Sequence, residues 1–356
     1  MADVLDMTTP GADALDERKR RILHTIVAEY VATGQPVGSQ RVVQTARLDV
    51  SAATVRNDMA ALEDLGLIHQ PHTSAGRVPT DSGYRVFVED LRSLAPTGRV
   101  TGQQEELIAG LLTNAHDVDD LLTRTTAVLS QLTRLVSLVI APAIDAARLK
   151  LIELVSLTSQ SALLLMVADT GRVTKRVVEL PEPVPESDLD RVRTVLSEQV
   201  RGRRMGEVHD AVAALVDQAP AELRGVLGAV AEVTVAADAD ETLHRIFVSG
   251  RATLADEGSF ERDDLSRVLS LLEEQTTLAK VLDTSASDDD GPIVRIGREN
   301  EVEDLHSASL VAQRYQLITA GSLGVLGPTR MDYASVLATV RAVAEHLEAT
   351  LTDLSE

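Results

Sequence analysis

The chain of 356 residues contains no cysteine and no tryptophan, and it has few aromatic residues of any kind. Without cysteine it has no disulfides, thiolate metal sites or cysteine nucleophiles, and it fits a reducing cytoplasm. Aromatic residues make up 2% of the sequence, too few to stack along single-stranded nucleic acid. Since no apolar run reaches the roughly 18 residues of a membrane span, the sequence predicts a cytoplasmic protein that is not associated with a membrane.

The sequence also lacks the common catalytic and cofactor motifs. No phosphate-binding GxxxxGK[ST] and no GxSxG turn occur, and the eight histidines are dispersed. His69 and His72 lie three residues apart, but no third metal ligand lies near them in the sequence. We therefore predict a protein that is not an enzyme and holds no cofactor or metal ion.

Net charge is unevenly distributed along the chain. The total is −21, which is unusual for a protein that binds DNA. Residues 16–100, however, contain 11 basic and 10 acidic residues, while the chain beyond them is strongly acidic. The first 15 residues carry three acids and no base, and they read as a disordered tail. The segment 16–100 is thus the part that can approach DNA, and the acidic remainder would discourage indiscriminate binding.

Residues 39–66 have the pattern of two helices joined by a tight turn. In the second helix Val55, Met59 and Leu62 recur at helical spacing and predict an inward face. Ser51 occupies the position of an N-cap, and Gly66 that of a helix stop. The opposite face carries small residues beside one arginine and one asparagine: Ala53, Arg56, Asn57 and Ala60.

This outer face suits entry into the major groove of DNA. Small side chains allow close approach, and Arg56 and Asn57 can each make paired hydrogen bonds to a guanine or adenine edge. An ordinary amphipathic helix with a polar outer face has the same pattern, so this helix alone does not establish DNA binding. The predicted DNA-binding residues of the two helices are Ser39, Gln40, Ser51, Ala53, Thr54, Arg56 and Asn57.

A hairpin is predicted directly after the second helix. Leu67 and Ile68 begin a strand, Ala75-Gly76 forms a turn, and the chain returns until Pro79, which has no amide hydrogen for a sheet. A hairpin in this position is typical of the wing of a winged helix, whose tip contacts the DNA backbone. A plain surface hairpin is the alternative. The predicted contacts are Thr73, Ser74, Gly76, for which we expect a positive φ, and Arg77 at the tip.

Four consecutive basic residues, Arg18, Lys19, Arg20 and Arg21, lie near the start of a helix predicted over residues 16–33. Cations oppose the helix dipole there, so we consider these residues candidates for phosphate contacts. A solvated helix face is the alternative.

Beyond residue 102 the pattern is mixed. A long helical stretch over 103–135 precedes strands at 135–140, 149–157, 162–168 and 172–180. The residues Leu163–Val167 are apolar without alternation, which predicts a strand covered on both faces. Mainly helical residues follow to 282, and strands then resume before a closing helix. A sheet that is interrupted and resumed suggests an inserted domain.

Several strings of the first hundred residues resemble one family. RKRRILHTIVAEYVATGQPVGS, SAATVRNDMAALEDLGLI and HTSAGRVPTDSGYR look like HrcA, the heat-inducible transcription repressor of bacteria. The match is dense over about residues 15–95, and the third string is specific to that family. Later in the chain only the domain order and the overall pattern agree.

The resemblance implies a repressor that binds an inverted-repeat operator upstream of chaperone operons as a homodimer, with help from a GroEL-type chaperonin. It implies an α+β multidomain fold in which a dimerisation domain is inserted into a GAF-like α/β domain. The expected ranges are a tail at 1–15, a winged helix-turn-helix domain at 16–98, GAF-like parts at 103–200 and 289–356, and the insert at 201–288. The alternative function is a winged-helix regulator gated by a small ligand in the GAF-like domain.

Overall fold

The computed structural model describes most of the chain. The described residues are 15–72, 75–94, 100–112, 115, 117–141, 147–169, 171–242, 245–255, 260–286, 291–316 and 320–355. They form a mixed α and β structure with an N-terminal helix-turn-helix domain and a larger α/β part. None of the helices in these ranges is long and apolar enough to cross a membrane.

The helices and strands alternate in blocks. The helices are α1 (Glu17–Thr33), α2 (Ser39–Ala46), α3 (Ala52–Asp64), α4 (Asp81–Leu94), α5 (Gly102–Leu112), α6 (Val118–Thr133), α7 (Glu186–Val200), α8 (Val208–Gln218), α9 (Ala221–Thr242), α10 (Arg262–Leu271), α11 (Gln275–Ser285) and α12 (Tyr333–Ser355). The strands are β1 (Ile68–His69), β2 (Val78–Pro79), β3 (Val136–Ile140), β4 (Leu149–Thr158), β5 (Ser161–Ala168), β6 (Val173–Glu179), β7 (Ile246–Ser249), β8 (Ile293–Ile296), β9 (Ala308–Gln316) and β10 (Ala320–Pro328).

The N-terminal domain consists of α1 to α4 and the hairpin β1–β2. Asp16 caps α1 by accepting a hydrogen bond from the Lys19 amide, and Gly34 ends the helix with a φ of 67°. Ser51 caps α3 in the same way. Gly66 ends α3 with a φ of 72°, and the amides of Gly66 and Leu67 bond back to Glu63 and Leu62 in a Schellman motif. The predicted beginning and end of α3 are confirmed.

The central domain is built on a five-stranded antiparallel sheet in the order β7-β3-β10-β9-β8. Helices α5, α6 and α12 cover one face, and α10 and α11 cover the other. Every residue of β3 is buried, as expected for an inner strand with helices on both sides.

A second sheet, in the order β4-β5-β6, lies in a separate unit that we call the insert (residues 147–242). Helices α7, α8 and α9 cover one face of this sheet and form its own apolar core. The chain leaves the central sheet after β3 and rejoins it at β7, so the sheet is interrupted earlier than the predicted 201–288.

Three sequence-based expectations about this region are wrong. Strands β4 to β6 do not share a sheet with β3, because they pair only with one another. Helices α10 and α11, predicted to lie within 201–288 as part of the insert, pack on the central sheet instead. Strand β5 is not covered on both faces, since its buried residues alternate with half-buried ones. In addition, the helical stretch 103–135 is divided into α5 and α6.

Helix α4 was not predicted, and it joins the first two domains. Thr80 caps its start by accepting a hydrogen bond from the Gly83 amide. Its buried residues Tyr84, Val86 and Val88 belong to one apolar core that runs from α1 and α3 through to α12 and the central sheet. The DNA-binding domain and the central domain therefore fold around a shared core.

Candidate nucleic-acid interface

Helix α3 presents the predicted outer face to solvent. Ala53, Arg56, Asn57 and Ala60 are all exposed, while Val55, Met59 and Leu62 are buried. Within the part of the chain that the structure describes, the side chains of Arg56 and Asn57 take part in no hydrogen bond or ion pair. Both side chains are therefore available for a ligand, and both carry paired hydrogen-bonding groups of the kind that read base edges.

The remaining candidates of the two helices lie around this face. Ser51 caps α3, and its Oγ lies 3.0 Å from the hydroxyl oxygen of Thr54. Gln40 is exposed at the start of α2, whereas Ser39 is buried. Burial limits what the Ser39 hydroxyl can reach, so Gln40 is the better placed of the two.

The four basic residues of α1 are all engaged within the domain. Arg18 donates to the buried carboxylate of Asp58 in α3 at 2.8 and 3.2 Å, and Lys19 pairs with Asp16 at 2.5 Å. Arg20 pairs with Asp90 in α4, and Arg21 donates to the last turn of α2. The three arginine contacts connect α1 with α2, α3 and α4, whereas the Lys19 pair lies within the start of α1. The arginines therefore help to assemble the domain.

The wing differs from the prediction in two respects. Arg77 lies at its base: its backbone pairs with Val37 at 2.9 Å in both directions, and its guanidinium contacts the Glu63 carboxylate at 2.8 and 3.0 Å. Gly76 has no positive φ; a Cβ there would overlap the backbone of Val37. The expected position of Arg77 at the tip and the expected φ of Gly76 are wrong. Thr73 and Ser74 lie outside the described residues.

Sequence reasoning missed Arg47, which follows α2 in the turn of the helix-turn-helix. It adopts a φ of 48°, one of two positive values among the described non-glycine residues. Turns of this kind often contain glycine, because a side chain in this conformation costs about 1–2 kcal/mol. Its side chain is exposed and, like that of Arg56, has no partner among the described residues. A left-handed residue is common at the end of a helix, so it is the exposed guanidinium, unpaired among the described residues, that makes Arg47 a candidate for a DNA contact.

Hydrogen bonds lower the pKa of two carboxyl groups in this domain. The pKa of Glu29 is lowered by hydrogen bonds from Thr45 and Arg41, which connect α1 with α2. The pKa of Asp16 is lowered by its bonds from Lys19. Both groups are thus ionised at neutral pH and support the arrangement of the helices.

A cavity lies at the edge of the central domain. It measures about 230 Å³ and is bordered by Arg134, Phe260, Arg330 and Asp332, among others. Ligand pockets in proteins commonly span about 300–1,000 Å³. The described ranges also contain no group of three acidic or histidine residues placed to hold a metal ion.

Comparison with known proteins places this geometry in a family. Residues 24–80 match the DeoR-like helix-turn-helix domain, which covers α2, α3 and the wing. Residues 119–337 match the HrcA protein C-terminal domain, more than half of the chain. The chain belongs to the HrcA family. This is a family of transcription repressors and not a class of enzymes.

Similarity to individual HrcA proteins extends over nearly the whole chain. The chain is 41% identical over 336 residues to the heat-inducible transcription repressor HrcA of Kocuria rhizophila, covering 94% of this chain and 99% of the relative. It is 41% identical over 341 residues to that of Streptomyces avermitilis, covering 95% and 99%. The family resemblance seen in the sequence is confirmed.

One solved structure shares the fold. A crystal structure of a hypothetical protein at 2.2 Å resolution aligns over 96% of this chain and 99% of its own length. The TM-score is 0.70 at 24% sequence identity, so the similarity concerns the fold alone. It extends across all three units described above.

Proposed function

We propose that this HrcA-family chain is a cytoplasmic repressor of heat-shock chaperone operons that binds an inverted-repeat operator as a homodimer. The observation that carries the proposal is the outer face of α3, where Arg56 and Asn57 are exposed and free of other partners. Their hydrogen-bonding groups match guanine and adenine edges. The name of the relatives, heat-inducible transcription repressor, supports the choice of genes.

Phosphate contacts are reassigned in this proposal. Five basic residues are held by partners within the protein: Arg18, Lys19, Arg20, Arg21 and Arg77. Arg47 and the exposed Gln40 are therefore the proposed anchors beside α3. Thr73, Ser74 and the Gly76 backbone remain proposed contacts of the wing.

Base reading is tested by footprinting on the upstream regions of chaperone genes. Arg56→Ala and Asn57→Ala should each weaken operator binding by about 1–3 kcal/mol and relax specificity at one position. Arg47→Gly should instead raise stability by about 1 kcal/mol while weakening binding to operator and random DNA alike and reducing the salt slope by about one. Wild-type footprints from the Arg56 and Asn57 variants would show that another face reads the bases.

The homodimer is proposed to form through the open face of the insert sheet. Among the described residues six large apolar side chains are exposed, and five of them lie on this face: Leu151, Val155, Leu157, Val173 and Val177. Leu163, Leu165 and Val167 lie between them on β5, half buried. An apolar face of this size on a monomer marks an interaction site. A second copy is the proposed occupant, because an inverted repeat requires a two-fold dimer.

The strand register supports a symmetrical pairing. Val155, Leu163 and Val177 form one apolar row across the sheet, and Leu151, Val167 and Val173 form another. Between them Leu165 is flanked by Glu153 on β4 and Lys175 on β6. A two-fold axis along β5 would stack the apolar rows and bring Glu153 toward the partner's Lys175. Glu153 also lies 3.4 Å from Arg193 of its own chain.

Light scattering distinguishes this interface from others. Val155→Asp combined with Val177→Asp should give a monomer that binds the operator weakly. Leu269→Asp is the matched control, because Leu269 is also an exposed apolar residue but lies on α10 in the central domain. A dimer that survives the double substitution would place the interface elsewhere, and the insert would then need another role.

Regulation is proposed to pass through a GroEL-type chaperonin. A multidomain chain with an open apolar sheet is prone to misassembly, and the chaperonin would return it to the form that binds DNA. Heat would occupy the chaperonin with other clients, so active repressor would fall. The test is operator binding with and without chaperonin and ATP at normal and raised temperature. Unchanged binding throughout would favour the ligand-gated regulator, whose candidate pocket is the small cavity beside Arg134.

A further inference from the structure

Besides the shared apolar core, contacts at three places join the described residues of the DNA-binding domain to the central domain. At the first, Arg85 of α4 donates from Nε to Oε1 of Glu299 at 2.8 Å and from Nη2 to Oε2 of the same carboxylate. Nη2 also donates to the Val294 carbonyl of β8 at 2.6 Å. Both side chains are largely sheltered from solvent, at 17% and 28% exposure. A two-pronged, sheltered arginine–carboxylate pair fixes direction as well as distance.

The turn after β8 is shaped around this contact. The Ile296 amide donates to the Glu299 carboxylate at 2.8 Å, so this carboxylate is held in place by its own turn as well as by Arg85. Gly297 has a φ of 52°, and a Cβ there would overlap the carboxylate of Asp81 at the start of α4. The Arg298 amide lies 3.2 Å from the same carboxylate. The first turn of α4 and residues 296–299 therefore fit against each other closely.

The other two contacts lie apart from the first. The rings of Tyr84 and Tyr333 pack with their centres 5.7 Å apart, which joins α4 to the start of α12. Arg330 reaches the end of α1, where its Nη1 lies 3.5 Å from the Val31 carbonyl oxygen and beside Gly34. Contacts on the β8 turn, on α12 and at the end of α1 together prevent rotation about any single one of them.

We propose that Arg85 and Glu299 are positioning residues that set the half-site spacing of the operator. By fixing α3 relative to the central domain, they fix where each recognition helix of a dimer stands. Free rotation of the DNA-binding domain would let one dimer accept many spacings, whereas a fixed domain accepts few. This proposal rests on the proposed function, since it requires a dimer on an inverted repeat.

The orientation itself can be measured without DNA. The chain has no cysteine, so Ala28→Cys on α1 and Ala349→Cys on α12 provide two unique sites for spin labels, both exposed. Pulsed dipolar spectroscopy, with labelled chain diluted into unlabelled chain, should give one narrow distance distribution. Arg85→Ala should broaden it, and adding Glu299→Gln should broaden it little further, because the two residues act as a pair. Arg92→Ala, an exposed arginine on the same helix, should leave it narrow.

The consequence for DNA is measured on operators whose half-sites are moved apart one base pair at a time through a helical turn. The wild type should bind one spacing best. Arg85→Ala should bind that spacing about tenfold more weakly than the wild type does. The variant should also bind all the other spacings with nearly the same affinity as that one. Arg85→Lys keeps the charge but cannot make the two parallel hydrogen bonds of a guanidinium. Its affinity for the preferred spacing should lie between those of the wild type and Arg85→Ala. Circular dichroism and light scattering should show an intact fold and dimer in each variant.

The two measurements separate the possible failures. A narrow distance distribution in Arg85→Ala would refute the positioning role of Arg85 and Glu299. An unchanged spacing preference in a variant whose distance distribution has broadened would refute it too. If the wild type binds no inverted repeat or is a monomer, the proposed function fails, and the spacing role fails with it. The spin-label result would then still decide whether Arg85 and Glu299 fix the domain.

Discussion

The central domain holds its two neighbours by different means. The DNA-binding domain shares an apolar core with it, in which Leu62 and Met59 of α3 belong to the same cluster as Val340 and Leu347 of α12. The insert has a core of its own, and the buried apolar residues of that cluster all come from residues 147–231. It is attached through the chain segments after β3 and before β7, where the Ala141 amide donates to the Arg245 carbonyl at 2.9 Å.

This difference has a consequence for how the chain unfolds. A shared core makes two domains unfold together, because separating them exposes apolar surface. An independent core lets a unit unfold by itself. We therefore expect the DNA-binding and central domains to unfold as one unit and the insert to unfold as another.

The largest expected effect tests whether the cores are shared as described. Leu62→Ala and Leu164→Ala each truncate a fully buried leucine and should each cost about 2–5 kcal/mol. In calorimetry the wild type should show one transition for the DNA-binding and central domains and another for the insert. Leu62→Ala should lower the first transition as a whole, and Leu164→Ala only the second. A separate transition for the DNA-binding domain alone in Leu62→Ala would contradict the shared core.

A smaller effect is expected at two glycines with positive φ, one beside the DNA-binding domain and one in the insert. Gly297→Ala should cost about 3 kcal/mol, because the backbone conformation disfavours a side chain and the added methyl group overlaps Asp81. Gly202→Ala in the insert has a φ of 82° but nothing within 4 Å of the added atom, so only the conformational cost of about 1–2 kcal/mol applies. Urea denaturation followed at both transitions measures the two values. Equal costs would show that the turn at Gly297 yields to the methyl group.

Local signals in the sequence predicted the helix-turn-helix well. Ser51 and Gly66 define the limits of α3 through hydrogen bonds to neighbouring residues, and such signals do not depend on the rest of the fold. The outward position of Arg56 and Asn57 follows from helical spacing alone. For these reasons the reading face could be predicted from the sequence.

Long-range pairing could not be predicted in the same way. Strand patterns at 149–157 and 172–180 show which residues form strands but not which strands pair, so β4 to β6 were assigned to the wrong sheet. The partners of Arg18 and Arg77 lie 40 and 14 residues away, and charge alone suggested phosphate. Arg85 and Glu299 are separated by 214 residues. Arg85 ends the family string HTSAGRVPTDSGYR, but nothing in that string indicates its partner.

The smallest expected effect uses pH to separate the unfolding of the DNA-binding and central domains from that of the insert. Burial raises the pKa of Asp81 above its ordinary value of 3.8, and the nearby Glu299 carboxylate raises it further, while the Arg298 amide opposes the shift. An acid whose pKa is raised on folding adds stability below its unfolded value and loses that contribution as pH rises through its folded value. Asp81→Asn does not titrate in this range. The stability of the variant relative to wild type should therefore increase as pH is raised from 3 to 6, at the transition of the DNA-binding and central domains and not at that of the insert. Urea midpoints across this pH series measure the difference. A relative stability that falls with pH would mean that the Arg298 amide and the start of α4 stabilise the ionised carboxylate more than burial destabilises it.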